Sequence, residues 1–107
     1  MSVTDDLYHY IVLRPDLSRG TLAAQVTHAA GESSSGALPN GTRAVVLAAR
    51  DEAHLHELHH TLLGAGIPHK LICEPDPPWN GQAMAIGITP CPRDAVRKLL
   101  SSLPLLR

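Results

Sequence analysis

The sequence contains a motif that is typical of zinc enzymes. Residues 56–60 read His-Glu-Leu-His-His, a match to H-E-x-x-H, which on a helix can place two imidazoles on one face to bind zinc, with the glutamate as base. The leucines around the motif recur at helical spacing and point away from His56 and His60, so both imidazoles are expected to face solvent. A catalytic zinc also needs a third protein ligand and a dry cavity. We therefore predict no metal site here.

A second polar pattern lies on the preceding predicted helix. Thr21, Gln25, His28 and Glu32 recur at i, i+4, i+7 and i+11, so they form a stripe that borders the apolar side of the helix. We expect the stripe to lie beside the sheet edge, where a histidine with a neighbouring acceptor has its tautomer and orientation fixed for acid–base work. The pattern alone favours the alternative, an ordinary amphipathic boundary with a satisfied histidine.

Three further candidates lie at strand ends and in a loop. Glu74 and Thr89 follow the third and fourth predicted strands, and open α/β sheets place sites at the carboxyl ends of parallel strands. Glu74 is equally compatible with a solvated carboxylate at the head of a proline-rich loop. Trp79, within Pro-Pro-Trp-Asn-Gly, can stack on a base or anchor a partner, or it can fold back over the core edge. The sequence leaves these alternatives open.

Basic residues near the same elements suit phosphate binding. Arg19 opens the first helix beside Gly20, whose missing side chain lets a phosphate approach the helix N-terminus. Lys70 begins the third strand and Arg14 ends the first, so a local basic patch is possible, although each residue alone is typical of a solvated charge. The sequence lacks G-x-x-x-x-G-K-[ST], G-x-G-x-x-G and G-x-S-x-G. Nucleotide hydrolysis, dinucleotide binding and a serine-hydrolase elbow are thus unsupported, and we predict no cofactor.

Length and composition limit the class of protein. The 107 residues, 44% of them hydrophobic, predict one domain over 1–107 with an aliphatic core, since the chain has no Phe. Nine Lys plus Arg against ten Asp plus Glu give a net charge of −1, which does not indicate wholesale capture of nucleic acid. Residues 1–6 form a polar leader unlike a secretion signal, so we expect a cytoplasmic protein. Cys73 and Cys91 are expected to be free thiols.

Hydrophobic periodicity predicts the elements that carry these residues. A loop rich in Gly and Ser is expected at 31–42, and prolines exclude regular structure at 75–81. The order is β-α-β-α-β-β-α, which predicts an α/β domain with a mixed four-stranded sheet flanked by helices. Strands are predicted at 8–14, 43–49, 68–74 and 82–88, and helices at 19–32, 52–65 and 92–102.

The first strand, turn and helix together resemble the start of a known family. Residues 10–17 read Tyr-Ile-Val-Leu-Arg-Pro-Asp-Leu, and residues 19–30 read Arg-Gly-Thr-Leu-Ala-Ala-Gln-Val-Thr-His-Ala-Ala. They resemble the archaeal and eukaryotic type of peptidyl-tRNA hydrolase, Pth2, in which a strand is followed by Arg-x-Asp-Leu and by Gly-Lys-x-Ala-Ala-Gln-x-x-His-Ala. Residues 66–75 look most like the divergent branch of peptidyl-tRNA hydrolase domain-containing proteins. The resemblance extends from about residue 8 to 106.

This resemblance implies an α/β sandwich, often dimeric, that cleaves the ester between a peptide and the 3′ end of tRNA. Carried over residue by residue, the family's functional positions fall on Gln25, His28 and Glu74; the last takes the place of the Asp in the family's Asp-Ala-Gly-x-Thr. His28 and Glu74 are then expected to position and activate a water, and Gln25 and Thr21 to orient the substrate.

Two departures from the family pattern leave a second function open. Arg19 and Lys70 are expected to meet the tRNA backbone, but Thr21 stands where the family has lysine, and a proline-rich loop replaces Ala-Gly-x-Thr. One oxyanion donor is commonly worth about 2.7 to 4 kcal/mol of barrier. The alternative is a catalytically silent module on the same fold that binds RNA or a protein through Trp79 and the 31–42 loop.

Overall fold

The computed structural model describes residues 6–34 and 36–107, which form a three-layer α/β domain. Four long strands lie in the order β2-β1-β4-β3, and a short strand β5 pairs with the start of β1. β1 and β2 are parallel, and β4 is antiparallel to both β1 and β3. The predicted fold class, a mixed sheet flanked by helices, is confirmed. The strands are β1 (Leu7–Leu13), β2 (Arg43–Ala48), β3 (His69–Glu74), β4 (Gln82–Ile88) and β5 (Cys91–Pro92).

Two long helices cover opposite faces of the sheet. Helix α1 (Arg19–Ser33) begins at Ser18, whose hydroxyl oxygen accepts a hydrogen bond from the Thr21 amide, and α2 (Glu52–Gly64) begins at Asp51, which caps it in the same way. Because α1 continues to Ser33, the loop predicted at 31–42 begins three residues later than predicted. The polar leader falls largely on residues 1–5, outside the described residues.

The prediction of one long C-terminal helix at 92–102 is wrong. A 3₁₀ turn (Arg93–Ala95) and a four-residue helix α3 (Arg97–Leu100) take its place. Pro92 stays extended because it pairs with β1, so the helix cannot begin there. After α3 the chain returns to β2, where the Ala48 amide donates to the Pro104 carbonyl over 2.9 Å. Pairing with the sheet thus limits the helix at both ends.

The alternation of side chains along β1 divides the core into two layers. Tyr10 and Val12 pack towards α2 and α3, whereas Ile11 and Leu13 pack towards α1. With both faces of the central strands covered, β1 and β4 are apolar along most of their length, as expected for strands buried on both sides.

A glycine lets α1 approach the sheet closely. A Cβ atom on Gly87 of β4 would fall on the carbonyl oxygen of Ala29 and lie 2.6 Å from the hydroxyl oxygen of Ser33. The Ser33 hydroxyl donates its single proton to the Ala29 carbonyl over 2.6 Å. It therefore accepts the hydrogen bond that it forms with buried His9 of β1, whose Nε2 donates over 2.7 Å. These contacts fix the C-terminal half of α1 against β1 and β4.

Candidate functional site

The polar stripe of α1 lies on the flank of the helix that faces the edge strand β3. α1 packs on β1, β3 and β4, and Leu22 and Val26 face the opposite side, where they line a groove with Leu106 beside β2. At 100° per residue, Thr21 and Gln25 therefore turn towards β3. The expected position beside a sheet edge is confirmed for this part of the stripe.

Gln25 is the buried member of the stripe. Its side chain is 7% exposed, and its Oε1 atom is buried without a hydrogen-bond partner among the described residues. Exchanging the amide oxygen and nitrogen would only leave the nitrogen in that position. An unpaired buried polar atom costs about 1–3 kcal/mol, so this amide oxygen is an unmet hydrogen-bond acceptor among the described residues.

Glu74 ends β3 on the sheet face that α1 covers. Ile72 packs in the α1 layer, the register irregularity after it places the extra residue in β4, and Glu74 follows two residues later on the same face. One carboxylate oxygen accepts a hydrogen bond from the Asp76 amide over 3.2 Å. The half-buried carboxylate is thus oriented by the loop that follows and retains further acceptor capacity.

Arg14 joins three segments around this site. The Arg14 guanidinium donates to both carboxylate oxygens of Asp16, over 2.8 and 2.7 Å, and to Oε1 of Gln82 over 2.7 Å. Its central carbon lies 5.2 Å from the ring centroid of Trp79. The bond to Asp16 raises the pKa of Arg14, and the same bond lowers the pKa of Asp16. Arg14 is 7% exposed, so it does not contribute to a basic patch.

Trp79 folds back over the edge of the core, which was one of its two predicted arrangements. The half-buried ring packs against the α1 layer and lies under the Arg14 guanidinium. Hydrogen bonds from the Trp79 amide to the Asp76 carbonyl and from the Gln82 amide to the Trp79 carbonyl, both 3.0 Å, make the loop compact. A contact of Trp79 with substrate stays a prediction.

The structure brings only some of the predicted site residues together. Arg19 and Gly20 are exposed at the start of α1. They lie near the end of β3, because Arg14 in the preceding turn bonds to Gln82 at the start of β4, and Gln82 pairs with Glu74. Lys70 pairs with Gly87 at the other end of the hairpin. Thr89 is also at that end, because β3 and β4 are antiparallel, and its amide donates to the Pro68 carbonyl. Glu74 and Thr89 therefore lie at opposite ends of the β3–β4 hairpin.

His28 lies apart from Glu74. It is exposed on α1, seven residues beyond Thr21 and therefore about 10 Å farther along the helix axis. Glu74 lies level with the Thr21 end of α1, whereas the neighbour of His28, Ala29, contacts Gly87. The family resemblance had grouped His28 with Glu74, and spacing along one helix carries no information on where a strand ends.

His56 and His60 of α2 face solvent, as predicted. Within 6–34 and 36–107, no three His, Cys, Asp or Glu side chains lie close enough to hold a metal ion. His59 instead bonds to His69 of β3, with 2.8 Å between their ring nitrogens. Both cysteines are free, as expected.

Sequence reasoning missed two residues, one in the groove along α1 and one at the start of α2. Arg107 lines the groove along α1 together with Arg19, and no pattern in the sequence links these two positions. Glu52, in the first turn of α2, accepts a hydrogen bond from the Ala83 amide over 2.8 Å, and this bond lowers the pKa of its carboxyl group. Glu52 thereby fixes α2 to the start of β4, next to Gln82.

The fold and this cluster define a mixed-sheet α/β protein with a polar candidate site where α1 meets its edge strand. The chain belongs to the peptidyl-tRNA hydrolase PTH2 family, whose model matches residues 7–106. It is 37% identical to a peptidyl-tRNA hydrolase of Methanopyrus kandleri, over 91% of this chain and 96% of that protein. It is 32% identical to a peptidyl-tRNA hydrolase of Pyrobaculum aerophilum, over 95% and 99% of the two chains.

A solved structure shares the fold at lower sequence identity. A protein of unknown function from Agrobacterium tumefaciens strain C58 superposes with a TM-score of 0.62 at 19% identity, covering 95% of this chain and 98% of that one. At this identity the likeness concerns the fold alone. No helix in the described part of the chain is long and apolar enough to cross a membrane.

Proposed function

We propose that this protein hydrolyses the ester bond between a peptide and tRNA, which recycles the tRNA. The observation that carries the proposal is the family motif on α1, where Gln25 presents a buried, unpaired amide on the flank that faces β3. Glu74 supplies a carboxylate at the end of that strand. A carboxylate there can act as the general base for attack of water on the ester.

In the proposed reaction, Glu74 takes the proton of a water whose oxygen attacks the ester carbonyl carbon. The tetrahedral intermediate then collapses, the bond from carbon to the ribose oxygen breaks, and that oxygen receives the proton from Glu74. Peptide acid and tRNA hydroxyl are the two products, so atoms and protons balance. Gln25 orients the water or the substrate, and the Thr21 hydroxyl, which accepts from Ser18 over 2.9 Å, retains its own proton to donate.

The substrate backbone is proposed to approach the N-terminus of α1. Arg19 is exposed there beside Gly20, which has no heavy atom within 4 Å of its Cβ direction, so a phosphate can come near the helix amides. His28 would contact the substrate farther along α1. Lys70 lies at the far end of β3, where it can meet only a more distant part of the tRNA.

The direct test is release of peptide from peptidyl-tRNA by the full chain. Glu74→Gln is expected to lower kcat by about a hundredfold, within the range for a positioned acid–base group. Glu57→Gln is the matched control, because Glu57 lies exposed on α2 and, among the described residues, its carboxylate pairs only with exposed Arg50. Unchanged activity after His28→Ala and Glu74→Ala together would exclude the site.

The second candidate function is a catalytically silent module that binds RNA or a protein. Thr21 favours it, because the family's lysine is absent and the threonine side chain is part of the helix cap. Salt-dependent tRNA binding without turnover would support this function, since phosphate contacts make affinity fall with salt. Activity that appears only in Thr21→Lys would identify a hydrolase fold that has lost its donor.

A cytoplasmic location and a homodimer complete the proposal. The translation-related family supports the location, and the dimer rests on the family resemblance alone. Sedimentation at several protein concentrations tests the dimer, and a constant monomer mass would refute it.

A further inference from the structure

A cavity of about 430 Å³ lies on the sheet face opposite α1, between β1, β2 and the C-terminal helix. We call it the tyrosine–arginine cavity, after the four side chains that line it with Ser101: Tyr8, Tyr10, Arg93 and Arg97. Its volume falls within the range of small-molecule sites. It is separate from the Gln25 and Glu74 region, because the sheet lies between them.

The cavity is lined by two arginines that form no ion pair with any described residue. They are Arg93 and Arg97, and no carboxylate is among the lining residues. Asp94 lies between them in sequence and lines a neighbouring groove, which Arg97 and Lys98 also line. Two guanidinium groups around one cavity repel each other, and an anion bound between them would relieve that repulsion.

The tyrosines provide a fixed, partly apolar wall. Tyr8 and Tyr10 are adjacent on one face of β1, with ring centroids 5.7 Å apart and planes 12° from parallel. Burial raises the pKa of Tyr10, and the charge of Arg93 lowers it, which places the phenol group within electrostatic reach of that guanidinium. Leu47 and Leu100 add apolar surface. The cavity thus combines cations with a wall that suits a ring.

We propose that the tyrosine–arginine cavity binds a phosphate monoester carried on a small aromatic body, the chemistry that a nucleotide presents. Arg93 and Arg97 would hold the phosphate, since guanidinium groups match its oxygens with paired hydrogen bonds. The Ser101 hydroxyl also lies at the lining, where it donates to the Lys98 carbonyl over 3.4 Å. The ring of the ligand would pack on the tyrosines and leucines. This site is independent of the ester hydrolysis proposed above.

Calorimetric titration of the full chain with adenosine 5′-monophosphate tests the site. Adenosine and inorganic phosphate are run in parallel to separate the two parts of the ligand. The variant Arg93→Gln/Arg97→Gln is expected to weaken binding of the nucleotide at least about tenfold, the loss of roughly one charge-assisted hydrogen bond. Arg50→Gln/Lys98→Gln removes the same amount of charge elsewhere and is expected to retain the affinity.

A second experiment distinguishes a free nucleotide from the 5′-phosphate end of an RNA strand as the natural ligand. A short oligoribonucleotide with a 5′-phosphate is compared with the same strand ending in a 5′-hydroxyl, and both are compared with the free nucleotide. Phosphate-dependent binding of either ligand that Arg93→Gln/Arg97→Gln abolishes supports the site, and the better ligand identifies its source. Equal loss in both double variants, or a nucleotide that binds no tighter than inorganic phosphate, overturns it. Peptidyl-tRNA cleavage by Arg93→Gln/Arg97→Gln is expected to be unchanged, so this result is distinct from the hydrolase test.

Discussion

Replacing Gln25 by methionine separates a functional role of this amide from a structural one. Methionine has a similar length and an apolar end, so Gln25→Met removes the unpaired Oε1 and leaves no cavity. The cost of that unpaired atom is about 1–3 kcal/mol, and the free energy of unfolding is expected to rise by a similar amount. A gain of 1 kcal/mol corresponds to roughly 4–8 °C in Tm for a domain of nearly this size.

The same substitution is expected to lower peptidyl-tRNA cleavage by at least about tenfold, the effect of losing roughly 1.4 kcal/mol of transition-state stabilisation. Gln82→Met is the matched control. Gln82 accepts a hydrogen bond from the buried Arg14 guanidinium over 2.7 Å, so its loss is expected to destabilise the fold by about 1–3 kcal/mol. The two Gln→Met variants therefore shift Tm in opposite directions.

Thermal unfolding and steady-state cleavage are measured on both variants. A drop in Tm for Gln25→Met equal to that for Gln82→Met would show that Gln25 has a structural partner and would refute the reasoning. Full cleavage activity in a stabilised Gln25→Met would refute the role in catalysis. Only higher stability combined with lower activity agrees with an amide kept unpaired for the substrate.

Three further predictions concern the contacts that hold the site in place. Gly87→Ala is expected to lower the free energy of unfolding by about 1–3 kcal/mol, because the added carbon collides with α1. Gly31→Ala, on the open side of α1, is expected to raise it by about 0.5–1 kcal/mol. Urea unfolding measures both values, and equal shifts in the two variants would contradict the close packing at Gly87. Burial lowers the pKa of His9 from 6.5, so the unfolded chain binds a proton more readily than the folded chain does. The free energy of unfolding is therefore expected to be full above about pH 6.5 and to fall as the pH drops towards the folded pKa. Replacing the imidazole in His9→Gln is expected to flatten this pH dependence, and an unchanged slope in that variant would assign it to another group. Asp16→Asn is expected to destabilise the fold at neutral pH. The hydrogen bond to Arg14 lowers the pKa of Asp16, so the ionised carboxylate stabilises the folded chain until the pH falls below about 4. Unfolding curves of the variant and the unmodified protein that coincide at neutral pH would contradict a stabilising role of this ion pair.

Long elements with strong periodicity could be predicted from the sequence. The strand at 82–88 and the start of α1 at residue 19 agree with the structure, because continuous burial and helix capping are local signals. The two-residue strand β5 and the short α3 could not be predicted in this way. Their bounds depend on pairing with β1 and β2, which are distant in sequence.

The site was predictable where it depends on one element and not where it depends on several. The stripe pattern on α1 identified Gln25, but it did not indicate that this residue is buried. The distance between His28 and Glu74 depends on which turn of α1 lies beside the end of β3, and this packing cannot be predicted from the helix alone. β4 runs antiparallel to β3, as the short connection between these two strands requires, and this direction decides where Thr89 lies.

The buried clamp around Arg14 removes one arginine from the surface that can meet tRNA. Arg14 is paired with Asp16 and packed against Trp79. Arg19 and Arg107 line the groove along α1, and the cations of the tyrosine–arginine cavity lie across the sheet. Attraction of tRNA to the proposed ester site therefore rests on few charges. Because each phosphate contact adds about 0.7–0.9 to the slope of log affinity against log salt, a shallow salt dependence is the physical consequence, and its steepness reports how many of these cations meet the tRNA.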